Sequence, residues 1–348
     1  MPSLESTLDA ALIGNFVAIM YGPFLGSASQ YFANMKCRSF IYRLYGITTL
    51  QTYIYAQDYL EDPVALRLLV SAVWIIETIH SVLCLYSVHS MFVTNFGLAS
   101  SPDILYWSQG AMILLGVIVM FAVHCYFARR VWMIGNNPQP LTAVIVLVAS
   151  LHLVFGIATF VLTRYFDTWS AMRSRPISQV MLCGGLGSAC VADLLIAASL
   201  FYYMRQRRST LQHAQFHNAL SSLTIYIVST GFSTAVLSSS TLLTFMFVPH
   251  RGVFLGLASI QSKAYANAFL TNLNARQTIR NRIMRSGAAA GEDGDDNFSA
   301  EFTTVLLGST KTSTRLRTGT STVSAATSGL AAGPGSLSPS AEVTVMTK

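Results

Sequence analysis

Seven stretches of this chain are too long and too apolar for a water-soluble fold to use: residues 10–32, 64–89, 104–128, 141–163, 179–204, 219–247 and 252–275. About 20 mostly apolar residues cross the ~30 Å of hydrocarbon in a bilayer. No water lies there to bond the backbone, so each stretch must close its own hydrogen bonds as a helix. A β-barrel would instead alternate apolar and polar residues over segments of ~10. Composition agrees: across 348 residues, 52% are hydrophobic and 11% charged, against roughly 25% charged in an ordinary soluble domain. Too few charges remain to clothe a soluble surface of this size. A soluble enzyme, a long coiled coil, a collagen-like fibre and a disulfide scaffold are all excluded. The expected fold is all-α, a polytopic bundle of seven transmembrane helices in a multi-pass membrane protein.

Charge orients the bundle. Residues 1–285 hold 18 Lys and Arg against 9 Asp and Glu, whereas 286–348 hold 4 against 6. The basic excess therefore sits beside the apolar runs, as it does in cytoplasmic loops, and does not form a nucleic-acid surface. Arg129 and Arg130 follow the third run, Arg205, Arg207 and Arg208 the fifth, and Arg276, Arg280, Arg282 and Arg285 the seventh. In an alternating topology these three ends share one side, expected to be cytoplasmic, with the N-terminus outside. Arg164, Arg173 and Arg175 after the fourth run weaken that asymmetry. The start lacks a basic n-region, so the first run is expected to act as its own insertion signal.

The first 60 residues admit two readings. A shorter apolar stretch, 45–57, follows the run at 10–32. Making both of them spans would put Lys36, Arg38 and Arg43 outside. The preferred reading has one crossing at 10–32 and keeps 34–63 cytoplasmic. The stretch 45–57 then lies at the interface, where Tyr45, Tyr53 and Tyr55 suit an aromatic belt. The transmembrane domain is taken as 1–285. From 286 to 348, Ser, Thr, Gly and Ala supply 38 of 63 residues. Such a segment buries too little apolar surface to offset its ordering entropy, so a disordered cytoplasmic tail is expected.

Ionisable groups within membrane spans are functional candidates by default, because hydrocarbon penalises them. Here they are Glu77, His80, His124, His152, Asp193 and Lys263. Glu77 and His80 share a helical face. Their E-x-x-H spacing is that of di-iron bundles, but residues 63–285 hold only Glu77, Asp103, Asp167 and Asp193 as acids, so that chemistry is rejected. Asp193 and Lys263, isolated opposite charges in one bundle, are expected to pair. Lys263, Asn267 and Leu270 share a face of the last span, with Tyr265 nearby. The sixth run is rich in Ser and Thr, from Ser229 to Thr241, which favours close helix approach. The candidate ligand-binding or polar cluster is Glu77, His80, Asp193, Lys263, Tyr265 and Asn267. No C-x-x-C, nucleophile elbow, H-E-x-x-H or P-loop occurs, so no catalytic residues, metal site, cofactor or enzymatic activity are expected.

The closing pattern Lys263-x-Tyr265-x-Asn267-x-x-Leu270-x-x-Leu273-Asn274-x-Arg276 is specific. With Tyr45-Gly46, Gln51, Tyr53, Tyr55, Asp62, Trp74, Glu77, His80, Arg129-Arg130 and Asp193, it resembles a fungal, basidiomycete family of seven-helix membrane proteins. That family is defined by a domain of unknown function of the DUF6534 type. The resemblance runs from about residue 10 to Arg276, and implies seven spans with the N-terminus outside; it implies no activity. It also marks residues 21–44 as an apparent insertion. Met20 would otherwise lead straight into Tyr45, and both edges begin Tyr-Gly (Tyr21-Gly22 and Tyr45-Gly46).

Three functions remain open at this point. A receptor-like sensor is favoured by seven spans, an outer N-terminus and a Ser/Thr-rich tail. A transporter or channel is suggested by Glu77, His80, Asp193 and Lys263, and a structural membrane role ranks third. The expected partners are the lipid bilayer, a small-molecule ligand, and a cytoplasmic protein at Arg205, Arg207, Arg208 and the tail. Nucleic acid is not among them. The plasma membrane is the expected location.

Overall fold

The computed structural model describes residues 29–60, 62–95, 103–135, 138–210, 214–247 and 253–290, with the side chains of 29–40, 92, 207–230, 253 and 276–290 outside that description. The chain divides into the units Met1–Thr310 and Lys311–Lys348, and all the described residues belong to the first. They are helical, without a strand among them. The helices are α1 (Ser29–Asp58), α2 (Val64–His89), α3 (Trp107–Ile134), α4 (Gln139–Leu162), the short α5 (Trp169–Arg173), α6 (Pro176–Thr210), α7 (Ala214–Phe247) and α8 (Val253–Ala290). A single π-turn, Ser90–Thr94, continues α2.

Among the described residues, four helices are long and apolar enough to cross a membrane: Val64–His89, Trp107–Ile134, Gln139–Leu162 and Pro176–Gln206. Their packing inverts the pattern of a soluble protein. On α2 the outward residues are Leu68, Ile75, Ile79, Val82 and Leu85. Its inward face holds Glu77, His80, Ser81 and Ser87 beside Val70 and Val73. On α4, Val144, Leu147, Leu151, Val154 and Val161 face out, while Ala149, His152, Gly156 and Thr159 are buried. An apolar exterior of this extent over a polar interior requires lipid as its solvent. These helices belong to a multi-pass membrane protein.

The long helices form a ring in which α3 and α8 also pack across the middle. α8 touches α1, α2, α3 and α7. The side chains Ile260–Lys263 and Tyr265–Leu270 are all buried. α8 carries Gln261, Ser262, Lys263, Asn267 and Asn272 on its flanks. Surrounding helices shield those groups from lipid and give Gln261, Ser262, Lys263 and the Asn267 Nδ2 hydrogen-bond partners.

The first 60 residues differ from the expectation. The stretch 45–57 is no interfacial segment: it is the second half of α1, packed along α8. Asn267 Nδ2 donates to the Leu44 carbonyl (3.1 Å), Gln51 Nε2 to Thr271 Oγ1 (2.5 Å), and Asn274 Nδ2 to the Gln51 carbonyl (2.9 Å). Tyr59 OH donates to the Asn274 carbonyl at 3.0 Å. Residue numbers rise together on both helices, so α1 and α8 run parallel. Tyr55 is buried while Tyr53 is exposed, as two sides of a packed helix require. Most of the run 10–32 lies outside the described residues, as does part of the apparent insertion; its residues 29–44 continue α1. The boundary at 286 falls inside α8, which reaches Ala290, and the rest of the tail lies outside the described residues.

Two loops are tied at one end of the bundle. Asp103 accepts from the Ser170 amide at 3.0 Å and from its hydroxyl. Ile104 bridges Thr168, and Trp169 Nε1 donates to Gln109 Oε1 at 2.9 Å. Arg173, one of the cations that blurred the charge asymmetry, donates to the Phe245 carbonyl and lies 4.2 Å over its ring. A cation on the last carbonyls of α7 suits the helix dipole, which gives this arginine a local structural role.

Candidate functional site

α8 presents a different polar face to each side of the bundle. Lys263 and Tyr265 are two residues apart, about 200° around a helix, so they point in nearly opposite directions. Each is the centre of its own buried cluster.

On the first side, Lys263 Nζ donates to Glu77 Oε2 (2.5 Å) and to the Glu77 carbonyl (3.1 Å), and lies 3.3 Å from His80 Nδ1. An ammonium has three donors and no acceptor, so three partners satisfy it, and His80 Nδ1 is the lone-pair nitrogen. Glu77 Oε1 accepts from Ser262 Oγ at 2.5 Å. Glu77 and Lys263 are each 0% exposed. The Tyr45 ring centroid lies 5.7 Å from Lys263 Nζ, and Tyr45 OH meets Thr78 Oγ1 at 2.9 Å. One ion pair thus holds together α1, α2 and α8.

On the second side, Asp193 of α6 accepts from three helices. His124 Nε2 of α3 meets Oδ1 at 3.1 Å. Ser238 Oγ of α7 donates to Oδ2 at 2.8 Å, and Tyr265 OH of α8 donates to the same oxygen. Gln261 Nε2 supports Ser238 at 2.9 Å. Beyond His124 stands His152 of α4, whose Nδ1 donates to the Gly185 carbonyl at 2.8 Å. The two imidazoles meet edge to face, 6.2 Å between centroids. A cleft of about 10 Å³ touches His124, Asp193, Thr234 and Tyr265, close to the room one water needs.

The expected Asp193–Lys263 pair is therefore corrected. Each charge found a closer partner on its own side of α8: Lys263 took Glu77, and Asp193 took His124. The reasoning that lone charges seek partners was sound, but the two faces of α8 separate these two. Glu77, His80 and Lys263 come together as one group, with Asp193 and Tyr265 in the other. Asn267 belongs to neither: its amide bonds Leu44 and the Lys263 carbonyl and joins α1 to α8. Ser238, Gln261 and Ser262 complete the clusters. Ser238 stood out only as one hydroxyl in a stripe, and Gln261 and Ser262 carried no distinguishing signal. His124 and His152 were visible as imidazoles inside apolar runs.

The fold and its buried ionic core define an all-helical, multi-pass membrane protein. Within it, residues 189–278 match a family of unknown function, DUF6534. That segment spans the second half of α6, all of α7 and the polar part of α8. It holds Asp193, Ser238, Lys263, Tyr265 and Asn267, and leaves Glu77, His80, His124 and His152 outside. No curated protein and no solved structure matches the chain.

Proposed function

We propose that the protein is a receptor-like membrane sensor of seven spans, with its N-terminus outside, its C-terminus cytoplasmic, and α8 as its switching element. Among the described residues, the seven helices of 24 residues or more support the span count. The parallel course of α1 and α8 supports placing the chain's start opposite the Arg-rich end. The observation that carries the reading is the Glu77–Lys263 ion pair, wholly buried between α2 and α8. Buried ion pairs contribute little net stability compared with apolar packing. They do serve as two-state contacts, because a ligand that binds only one arrangement shifts the population. A second cluster on the opposite face holds α8 from the other side. Displacing either contact frees α8 to move towards the other, and α8 leads directly to the basic end and the tail. Arg205, Arg207, Arg208 and the tail are then the docking surface for a cytoplasmic partner, with the plasma membrane as the location.

The transporter or channel reading is favoured by a different observation, the titratable chain His152, His124 and Asp193 in the middle of the bundle. One experiment separates the two. Purified full-length protein in detergent is screened for ligand-induced thermal shifts against metabolites, lipids and ions, since a ligand of the folded state raises its melting temperature. A hit lost in Lys263→Met, with no flux of that compound into proteoliposomes, supports the sensor. Flux overturns it in favour of transport. Absence of any hit from well-folded protein overturns both and leaves the structural role.

A further inference from the structure

Two buried nitrogens in the second cluster are left with lone pairs and no protein donor. A carbonyl only accepts, so His152 Nδ1 carries the proton it gives to Gly185, and Nε2 is an acceptor. A carboxylate likewise accepts from His124 Nε2, which leaves Nδ1 as the acceptor. His124 Nδ1 and His152 Nε2 are both buried without a hydrogen-bonding protein group. The rings themselves are 1% and 3% exposed. An unmade hydrogen bond on a buried polar atom costs about 1–3 kcal/mol, and here two such atoms sit on adjacent rings of neighbouring helices.

We propose that His124 and His152 form a binding site for one water-sized hydrogen-bond donor, backed by the Asp193 carboxylate. The occupant must give two protons to two imidazole lone pairs. One tetrahedral donor with two bonds of ~2.9 Å holds its acceptors about 4.7 Å apart, within reach of ring-edge nitrogens whose ring centroids stand 6.2 Å apart. The cleft at His124, Asp193 and Thr234, of about 10 Å³, adjoins the His124 ring with room for one such species, and His152 stands outside its lining. A transition metal is the poorer fit: among the described residues no three His, Cys, Asp or Glu side chains gather as ligands. Water and its near-isostere ammonium share the required chemistry, donation without bulk. For ammonium, Asp193 one hydrogen bond away supplies the compensating negative charge. Neither Glu77 nor Lys263 takes part, so the site stands independently of the sensor reading.

The test uses full-length protein in lipid bilayers with 15N-labelled histidine, read by solid-state NMR. His152→Phe assigns one imidazole by loss of its signals, and His124→Gln the other. Spectra and unfolding temperatures are recorded in ammonium chloride and in potassium chloride of equal ionic strength and pH. Potassium is similar in size but donates no hydrogen bond. If ammonium is the occupant, both imine nitrogens shift saturably with ammonium alone. The unfolding temperature then rises with it, and His152→Phe abolishes the rise. If water is the occupant, both nitrogens are hydrogen-bonded in either salt and exchange magnetisation with water. Imine nitrogens at the position of unbonded imidazole in both salts overturn the proposal, as does an imidazolium at either residue.

Discussion

Lys263 shows how completely a single side chain depends on its surroundings in this protein. All three of its protons are taken, two by Glu77 and one by His80. Removing either charge alone strands the other inside the bundle. Lys263→Met or Glu77→Gln should each lower stability by about 3–5 kcal/mol, and the double variant should recover much of the loss. Thermal unfolding in one detergent measures this. Asp193→Asn combined with Lys263→Met should be additive within about 0.5 kcal/mol, as for groups that share no partner. A large coupling would restore the discarded Asp193–Lys263 pair. Tyr265→Phe removes one of three donors from Asp193 and should cost about 1–2 kcal/mol, with the fold intact. The ionisable residues could be read from the sequence, because a charge inside an apolar run is conspicuous. Their pairing could not. It depends on which way each helix is turned, and a rotation of α8 would exchange the partners of Lys263 and Tyr265.

At the scale of elements, hydropathy marks the helices that face lipid and misjudges α1, which faces other helices. α2, α3, α4 and α6 present Leu, Ile and Val outward, and their apolar runs mark them almost residue by residue. α1 hides Thr48 and Gln51 against its neighbours, so its apolar stretch looks too short to cross. Hydropathy measures transfer into lipid, and these side chains never meet lipid. An oxidised Leu44→Cys/Asn267→Cys pair should crosslink α1 to α8 in the full chain, since Asn267 already bonds the Leu44 main chain. An interfacial α1 would give no crosslink. The α3–α4 contact has its own test. A Cβ on Gly156 would stand 2.5 Å from Val117 Cγ2. Gly156→Ala should therefore cost about 1–3 kcal/mol through overpacking, and Val117→Ala should relieve it. Stability of the single and double variants decides the matter.

Across the whole molecule, an all-helical, multi-pass membrane fold was plain from the apolar runs, whereas the course of α1 was not. The tied loops Asp103–Ser170 and Ile104–Thr168 fix the α2–α3 and α4–α6 connections on one side of the bundle. Cysteines placed at Asp103 and at the exposed Gln139 should therefore react with an impermeant thiol reagent from opposite faces of sealed vesicles. With the proposed orientation, Asp103 is the one reached from outside. The polar character of α8 bears also on how the protein is made. The six long helices before it leave the ribosome first, and until α8 arrives Glu77 has no cation and Asp193 lacks the Tyr265 hydroxyl. α8 itself is a poor substrate for spontaneous partitioning, because Lys263 and its amides gain nothing from hydrocarbon. The two buried clusters are therefore completed only when the last helix is in place.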